Sequence, residues 1–561
     1  MSYLKNRNFT VGKFLDNMVK IHPDKDALVC YERNLRYTYK EFQAFCNQFS
    51  KGLLKLGIKK GDHVAIWASN LPEWVIAQFG IARIGAVLVT VNTSCEINEL
   101  EYLLKQSDST TLIMADVGRS NDYTSMIYEI CPELYNCRPG ELVAEKLPLL
   151  KNVIIIGDKK YPGLLSLNDV YELGDKISDE EMGARMAELE SEDVCMMLYI
   201  SGTNEFPKGV LLSHKNVIMN ALSMKVCMNL GFQDRVCIPV PLFHCFGAVT
   251  GVLCSVASGA TIVLPSDRFD SVKILEAVEK ERCTVLHGVP AIFVSLLEEI
   301  EKVKYDLSSL RTGIVAGSAC APKVLRKLEN VLKKVIVSYG QAEASSCITS
   351  TRVTEPAKLR LYTSGRALPG VEVKIVDPKT GEAVAPGVQG EILARGCNVM
   401  KGYYKMPVAT AEVIDDDNWL HTGDLGVMDD DGYCKIIGRL KDMIICGGEN
   451  IYPKEVENLL CTHPLVEEAQ VLGLPSRKYG EEVMAFVKLK NGATLSQKEL
   501  QNFCKGKIAK FKIPKHIVFV RSYPYSAGGK VQKFKLRQLA LKMLGLQNKE
   551  RTQSSKAIVC N

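Results

Sequence analysis

From about residue 60 the chain alternates short apolar runs with segments in which apolar residues recur every three or four positions. VAIWAS is followed by PEWVIAQFGIARIG, AVLVTV by INELEYLLKQ, and TTLIMA comes next. Further on, VCMMLYI precedes HKNVIMNALSMK, ATIVLP precedes VKILEAVEKE, CTVLHGVP precedes AIFVSLLEEI, and TGIVAGS and KKVIVSYG flank PKVLRKLENVL. Runs that stay apolar throughout suit strands covered on both faces, and helical segments between them supply the crossovers that parallel strands need. The pattern predicts an α/β layered architecture. After residue 365 the texture changes: VEVKIVD and EAVAPGVQGEILAR flank PKTG, which predicts a small antiparallel β unit around a glycine-containing turn. Beyond GRLKD, residues 438–442, the segments HPLVEEAQVLGLP, VMAFVKL, QKELQNFCK and HIVFVRSYP predict a separate small α/β domain of about a hundred residues.

At 561 residues the chain exceeds what one ordinary core organises, and 47% hydrophobic with 24% charged residues argues against disorder. The net charge of +6 is modest but uneven. Lysines and arginines crowd the stretch from Lys488 to Lys542, where Glu499 is nearly the only acid. A solvated basic face accounts for most of them, and attraction of a polyanionic substrate is the sharper reading. The 19 cysteines form no CxxC pair and are scattered through apolar runs, which fits reduced, buried thiols in a cytoplasmic protein. No secretory signal is expected in MSYLKNRNFTVGKFLDNMVK, and SSKAIVCN matches no prenylation or peroxisomal signal. FGAVTGVLCSVASGATIVLP is about long enough to cross a bilayer, but its Gly, Ser and Thr content predicts a buried helix, a turn and a strand. No repeat is found, nor a low-complexity linker.

YISGTNEFPKGV, Tyr199 to Val210, reads as a loop between a buried strand and a helix. A Walker loop needs Gly followed directly by Lys and Ser or Thr; here Pro207, Lys208, Gly209 stand instead. Exposed backbone N–H groups, the hydroxyls of Ser201 and Thr203, and Lys208 can still surround phosphate oxygens.

SGTNEFPKG, PLFHCFG, AGSACAP, SYGQAE, WLHTGD, GRLKD, GGENIYPKEVE and SAGGKVQKFKLR occur in that order along the chain. On these stretches the sequence resembles the adenylate-forming superfamily, specifically its acyl-CoA synthetases (fatty-acid–CoA ligases), over almost its whole length. The resemblance implies an N-terminal adenylation core at 1–438, with the small β unit inside it, and a mobile C-terminal domain at 439–545 hinged at 439–442. Residues 546–561 would form a flexible tail.

The resemblance also implies roles. Tyr339 and Gly340 would bind adenine with Gly317, Ser318 and Ala319; Asp424 would accept both ribose hydroxyls and Arg439 would reach the ribose from the hinge, Lys441. Ser201, Gly202, Thr203 and Lys208 would hold the phosphates of ATP, and Glu343 with Thr203 would hold Mg²⁺. Lys530 would stabilise charge as a carboxylate attacks the α-phosphate, and Gly447 and Gly448 would line the path of coenzyme A to the acyl-adenylate. His244 would sit beside the acyl carboxylate as a gate, with GAVTGVLCSVASGA and Ser345 to Ile348 bordering an acyl tunnel. No cation appears there for a second carboxylate, which leans toward a medium- or long-chain fatty acid. No nucleic-acid partner is expected, membrane contact would be at most peripheral, and the oligomeric state stays open.

The loop departs from the family pattern. Ile200 replaces a hydroxyl, Asn204 a threonine, Glu205 a glycine, and Ala342 stands where a threonine commonly bonds the α-phosphate. A carboxylate about 4 Å from a phosphate charge is repelled by roughly 1 kcal/mol in water and about 4 at an effective dielectric of about 20. Three readings follow: a weakened but working ligase, a protein that binds nucleotide or acyl-adenylate with impaired adenylation, and a luciferase-like oxygenase or carrier-loading enzyme.

Overall fold

The computed structural model describes residues 9–116, 122–157, 159–200, 207–446, 449–476, 479–525 and 531–544. The chain divides into two compact units, one comprising 1–373, 393–421 and 432–434, the other 374–392, 422–431 and 435–561.

The first unit bears out the α/β expectation. Its eight-stranded sheet runs, edge to edge, through Gly402–Tyr403, Lys208–Ser213, Val194–Ile200, Val87–Thr90, His63–Trp67, Ser109–Ala115, Asn152–Ile156 and Leu165–Ser166. From Val194–Ile200 onward every pairing is parallel, and Val87–Thr90 is buried throughout. The helices between strands follow the apolar spacing: Pro72–Arg83, with proline at its start, buries Trp74 and Phe79 completely. Each such side chain contributes about 1.5–3 kcal/mol.

The expectation that the loop after Ile200 leads into a helix is corrected. It leads into the strand Lys208–Ser213, antiparallel to Val194–Ile200, and the helix His214–Met228 begins only after that. Ser213 ends the strand and caps the helix, its hydroxyl accepting from Asn216 N while Asn216 reaches back to Ser213 N. The short run after Pro207 looks like loop in isolation; pairing on both sides, with Met197 and Leu198 and with Gly402 and Tyr403, makes it a strand.

A five-stranded sheet orders Val285–Leu286, Arg235–Cys237, Thr261–Leu264, Asp26–Cys30 and Leu35–Thr38. Parallel bridges at Val285–Thr312 and Gly288–Val315 carry it toward Gly313–Val315 of a further sheet with Val335–Tyr339. The carboxyl ends of Arg235–Cys237, Val285–Leu286 and Gly313–Val315 thus lie side by side, the place where open α/β sheets bind ligands. The long apolar run forms a π-helix, Phe246–Leu253, then an α-helix, Cys254–Ser258, closed by Gly259 at φ +66°, and the strand Thr261–Leu264. Helix, turn and strand are as expected, but the first turns are π-helical. Among the described residues no helix is long and apolar enough to cross a membrane, and every cysteine is free.

In the second unit, Glu449–Ile451, Ile444–Cys446, Gly480–Leu489 and Val466–Ser476 form a sheet that His516–Phe519 extends beside Gly480–Leu489. Alternate residues feed two cores, as the two-residue repeat of strands requires. Val471, Val483 and Ala485 pack with Val456 and Leu460 of the helix Pro453–Leu460 and Leu500 of Gln497–Cys504. Leu472, Leu474, Met484 and Phe486 pack with Leu536, Ala540 and Leu541 of Lys533–Met543. The strands Val371–Val376 and Gly390–Gly396, flanking PKTG, belong to one four-stranded sheet, and Asp377 holds the turn by accepting from Lys379 N and Thr380 N.

Candidate active site

In the first unit three side chains from distant parts of the chain meet. Glu343 lies on the single 3₁₀ turn Ala342–Ala344, and its Oε1 accepts the Tyr403 hydroxyl at 2.9 Å. Lys208 Nζ lies 5.3 Å from the centroid of the same tyrosine ring, a cation–π distance. Backbone bonds hold the arrangement. Met400 N donates to Glu343 O, Lys401 N to Leu211 O and Tyr404 N to Gly209 O, so the segment 400–404 is stitched between the glutamate's turn and the lysine's strand. A hydrogen bond of this kind stabilises the geometry by about 1 kcal/mol. Tyr403 is absent from the sequence-level candidates. It lies some two hundred residues from Lys208, and only the strand pairing at Tyr403–Val210 brings it there.

Tyr339 ends the strand Val335–Tyr339 and packs against Ala344, Ile348, Ala394 and Leu420. A Cβ on Gly340 would lie 2.1 Å from Ser346 O, so the tight return of the chain leaves no room for a side chain. Ser345, at φ +61°, and Ser346, at φ +137°, make that return, and two buried amides secure it. Asn220 and Asn398 each donate through Nδ2 to both Ala344 O and Cys347 O. Ala342 is buried and offers no hydroxyl. Gly317 stands at φ +88° beyond the strand Gly313–Val315, followed by Ser318 and Ala319 in an exposed turn. A Cβ there would lie 3.1 Å from Val289 Cγ1.

His244 is half-buried at the mouth of the π-helix, its Nδ1 accepting from Phe246 N at 3.2 Å. Thr250 of the π-helix shares a 2.6 Å hydrogen bond with Ser346, so the two segments expected to border an acyl tunnel are in contact. A π-helix within an otherwise α-helical run is a recurrent feature of functional sites.

In the second unit Asp424 and Arg439 are brought together: Arg439 Nε lies 3.2 Å from Asp424 Oδ1, with the carboxylate largely buried and the guanidinium side half exposed. Thr422 helps to orient the aspartate by accepting Asp424 N. Lys441 sits exposed on the single turn Leu440–Asp442. Ser201, Gly202, Thr203, Asn204, Glu205, Gly447, Gly448, Lys530 and the tail at 546–561 lie outside the described residues.

Among the described residues no group of three or more His, Cys, Asp or Glu side chains could hold a metal. Mg²⁺ bound mainly through phosphate oxygens needs only one or two protein carboxylates. Glu343, a hard oxygen donor with Lys208 bordering the same tyrosine, fits that mode.

These features define a two-unit α/β protein with a lysine–tyrosine–carboxylate cluster on one unit and an aspartate–arginine pair on the other. Residues 15–404 match the family model described as AMP-binding enzyme, and residues 455–530 match that of the AMP-binding enzyme C-terminal domain. The chain is 50% identical over 543 residues to the Bacillus subtilis (strain 168) protein YngI, covering 96% of this chain and 99% of the relative. It is 39% identical over 541 residues to medium-chain acyl-CoA ligase ACSF2, mitochondrial, of Danio rerio, covering 96% and 89%. Among solved structures, ATP-bound MatB from Rhodopseudomonas palustris superposes with a TM-score of 0.82 at 27% identity, covering 95% of this chain and 99% of that one. The chain belongs to the AMP-binding enzyme family, as the order of its motifs indicated.

Proposed function

We propose that the chain is an ATP-dependent acid–CoA ligase that joins a medium- or long-chain fatty acid to AMP and then transfers the acyl group to coenzyme A. The observation that carries this reading is the Lys208–Tyr403–Glu343 cluster, set where the SGTNEFPKG segment returns to the sheet. The fatty-acid preference is supported by the buried, uncharged π-helix Phe246–Leu253 and by the name of the ACSF2 relatives.

In this reading Lys208 binds phosphate oxygens, and Tyr403 orients both that lysine and Glu343. Mg²⁺, held by Glu343 with Thr203, would neutralise phosphate charge. Tyr339, Gly340 and the Gly317–Ala319 turn would receive adenine, and Asp424 with Arg439 the ribose. Lys530 would stabilise charge developing at the α-phosphate as the acid's carboxylate displaces pyrophosphate. His244 would border the carboxylate, and Gly447, Gly448 and the hinge at Lys441 would serve the second half, in which the thiolate of coenzyme A attacks the acyl carbon and AMP leaves.

A second reading is favoured by Ala342, which buries a methyl group where the family's threonine would bond the α-phosphate. With Glu205 it suits a protein that binds nucleotide or acyl-adenylate but adenylates poorly. One experiment separates the two. Purified protein with Mg²⁺, ATP and acids from acetate to palmitate is assayed for pyrophosphate exchange and acyl-CoA. Exchange and thioester that peak at one chain length support the ligase; AMP binding by calorimetry without exchange for any acid supports the second reading.

Tyr403→Phe removes one hydroxyl and keeps the ring. We expect exchange to slow about tenfold, the equivalent of about 1.4 kcal/mol, with a raised requirement for Mg²⁺ and a nearly unchanged Tm. An unchanged Mg²⁺ dependence counts against Glu343 as a metal ligand.

A further inference from the structure

His287 follows the parallel strand Val285–Leu286 and is fully buried, yet neither Nδ1 nor Nε2 has a hydrogen-bond partner. Among the described residues it is the one buried side chain with two unpartnered polar atoms. Its backbone is ordinary: His287 N donates to Cys237 O, and Gly288 N to Ile314 O. The anomaly is therefore confined to the imidazole. Leaving a buried polar group unpaired opposes folding, and such groups in native proteins call for an explanation.

The position supplies one. His287 sits at the carboxyl end of its strand, between the end of Arg235–Cys237, which continues to His244, and the end of Gly313–Val315, which continues to Gly317. Two residues on, the Val289 side chain abuts the Gly317 turn. The ring centroid lies 5.7 Å from that of Phe246, the first residue of the π-helix. Other polar side chains around this helix each have at least one partner: Thr250 pairs with Ser346, and Gln78 Nε2 donates to Ala248 O although its Oε1 is unpartnered. Burial pushes the imidazole pKa down to about 3, so the ring is neutral at physiological pH and presents one N–H donor and one acceptor rather than a charge. Such a ring does not select a second carboxylate by charge. It matches a neutral oxygen.

We propose that His287 is a specificity-determining residue that hydrogen-bonds an oxygen substituent, a hydroxyl or keto group, on the hydrocarbon chain of the acid. The proposal rests on the ligase reading for its substrate and on the geometry around His287 for its chemistry. A site built to bond a substrate oxygen discriminates against the analogue lacking it far more strongly than an apolar wall discriminates between chain lengths.

The test compares octanoate with its hydroxy and oxo isomers, substituted at each chain position in turn. For wild type, at least one isomer is expected to exceed octanoate in kcat/KM by about tenfold or more. In His287→Leu that ratio should fall to about one, and in His287→Gln, which keeps a donor and an acceptor, part of it should return. The Tm of His287→Leu without substrate should equal or exceed that of wild type, because an unpaired polar group has been removed. In parallel, ¹⁵N-histidine NMR without ATP should show the His287 ring signals moving with the preferred isomer and not with octanoate. Thioester formation with a flat ratio and unmoved signals overturns the proposal and leaves the ligase reading standing. Moved signals without turnover of any acid sustain the proposal and remove the ligase reading instead.

Discussion

Lys530→Ala is expected to lower acid-dependent exchange of pyrophosphate into ATP by about a hundred- to a thousandfold while sparing thioester formation from supplied acyl-adenylate. A preorganised cation aimed at developing negative charge contributes on that scale, and only the first half-reaction develops that charge at phosphorus. Lys530 itself lies outside the described residues, but the next residue, Val531, forms a bridge with Tyr525 that is tied down on several sides. Gln532 N donates to Pro524 O, the Tyr525 hydroxyl to Glu468 Oε2, and the Tyr523 hydroxyl to Phe486 O. The neighbouring Lys533 supplies the control. Its Nζ donates to Glu457 Oε1 at 2.8 Å and to Val471 O. Burial acts to raise the Glu457 pKa, but Lys533 and Lys454 outweigh it and hold the carboxyl below its usual range. Lys533→Ala would leave that buried carboxylate with only Lys454, at 3.4 Å, and Val471 N as partners and destabilise the protein by about 1.5–3 kcal/mol, lowering Tm and slowing both half-reactions together. Equal exchange in wild type and Lys530→Ala would remove the catalytic assignment.

Gly340→Ala should abolish both half-reactions and lower Tm, because the added methyl would meet backbone, not a movable side chain. Its Cβ would stand 2.1 Å from Ser346 O and 2.6 Å from Cys347 Cα. The return cannot yield locally, since Asn220 and Asn398 fasten it at two carbonyls and Ile348 N donates to Tyr339 O. Relief must displace the Ala342–Ala344 turn and Glu343 with it. Overpacking typically costs about 1–3 kcal/mol, and here it falls on the residues assigned to adenine and metal. Gly317→Ala is the milder comparison. It strains a backbone at φ +88° but approaches only the tip of Val289, at 3.1 Å, so stability should fall while measurable exchange remains. Full activity in Gly340→Ala would show that the return is not rigid in solution.

Much of the large unit was readable from apolar periodicity. INELEYLLKQ coincides with the helix Ile97–Gln106, VCMMLYI with the strand Val194–Ile200, and PKVLRKLENVL with the helix Pro322–Leu332. These segments carry their own hydrophobic period, which survives without tertiary information. The segment after Pro207 did not, because its strand character comes from partners on either side rather than from its own residues. The π-helical winding of Phe246–Leu253 was equally hidden: a fully buried run whose one polar side chain is Thr250 has no polar face and so no period to read.

The same division holds for the chemistry. By itself the sequence determined the layered α/β class, the order of the motifs, and through them the AMP-binding enzyme family, since each is a property of local residue order. Only the tertiary structure decided that Tyr403 joins Lys208 to Glu343, that Asp424 already pairs with Arg439, and that His287 stands buried with an unsatisfied ring. Those facts depend on which distant strands lie side by side, and side-chain proximity across a sheet is set by register rather than by any short stretch of chain.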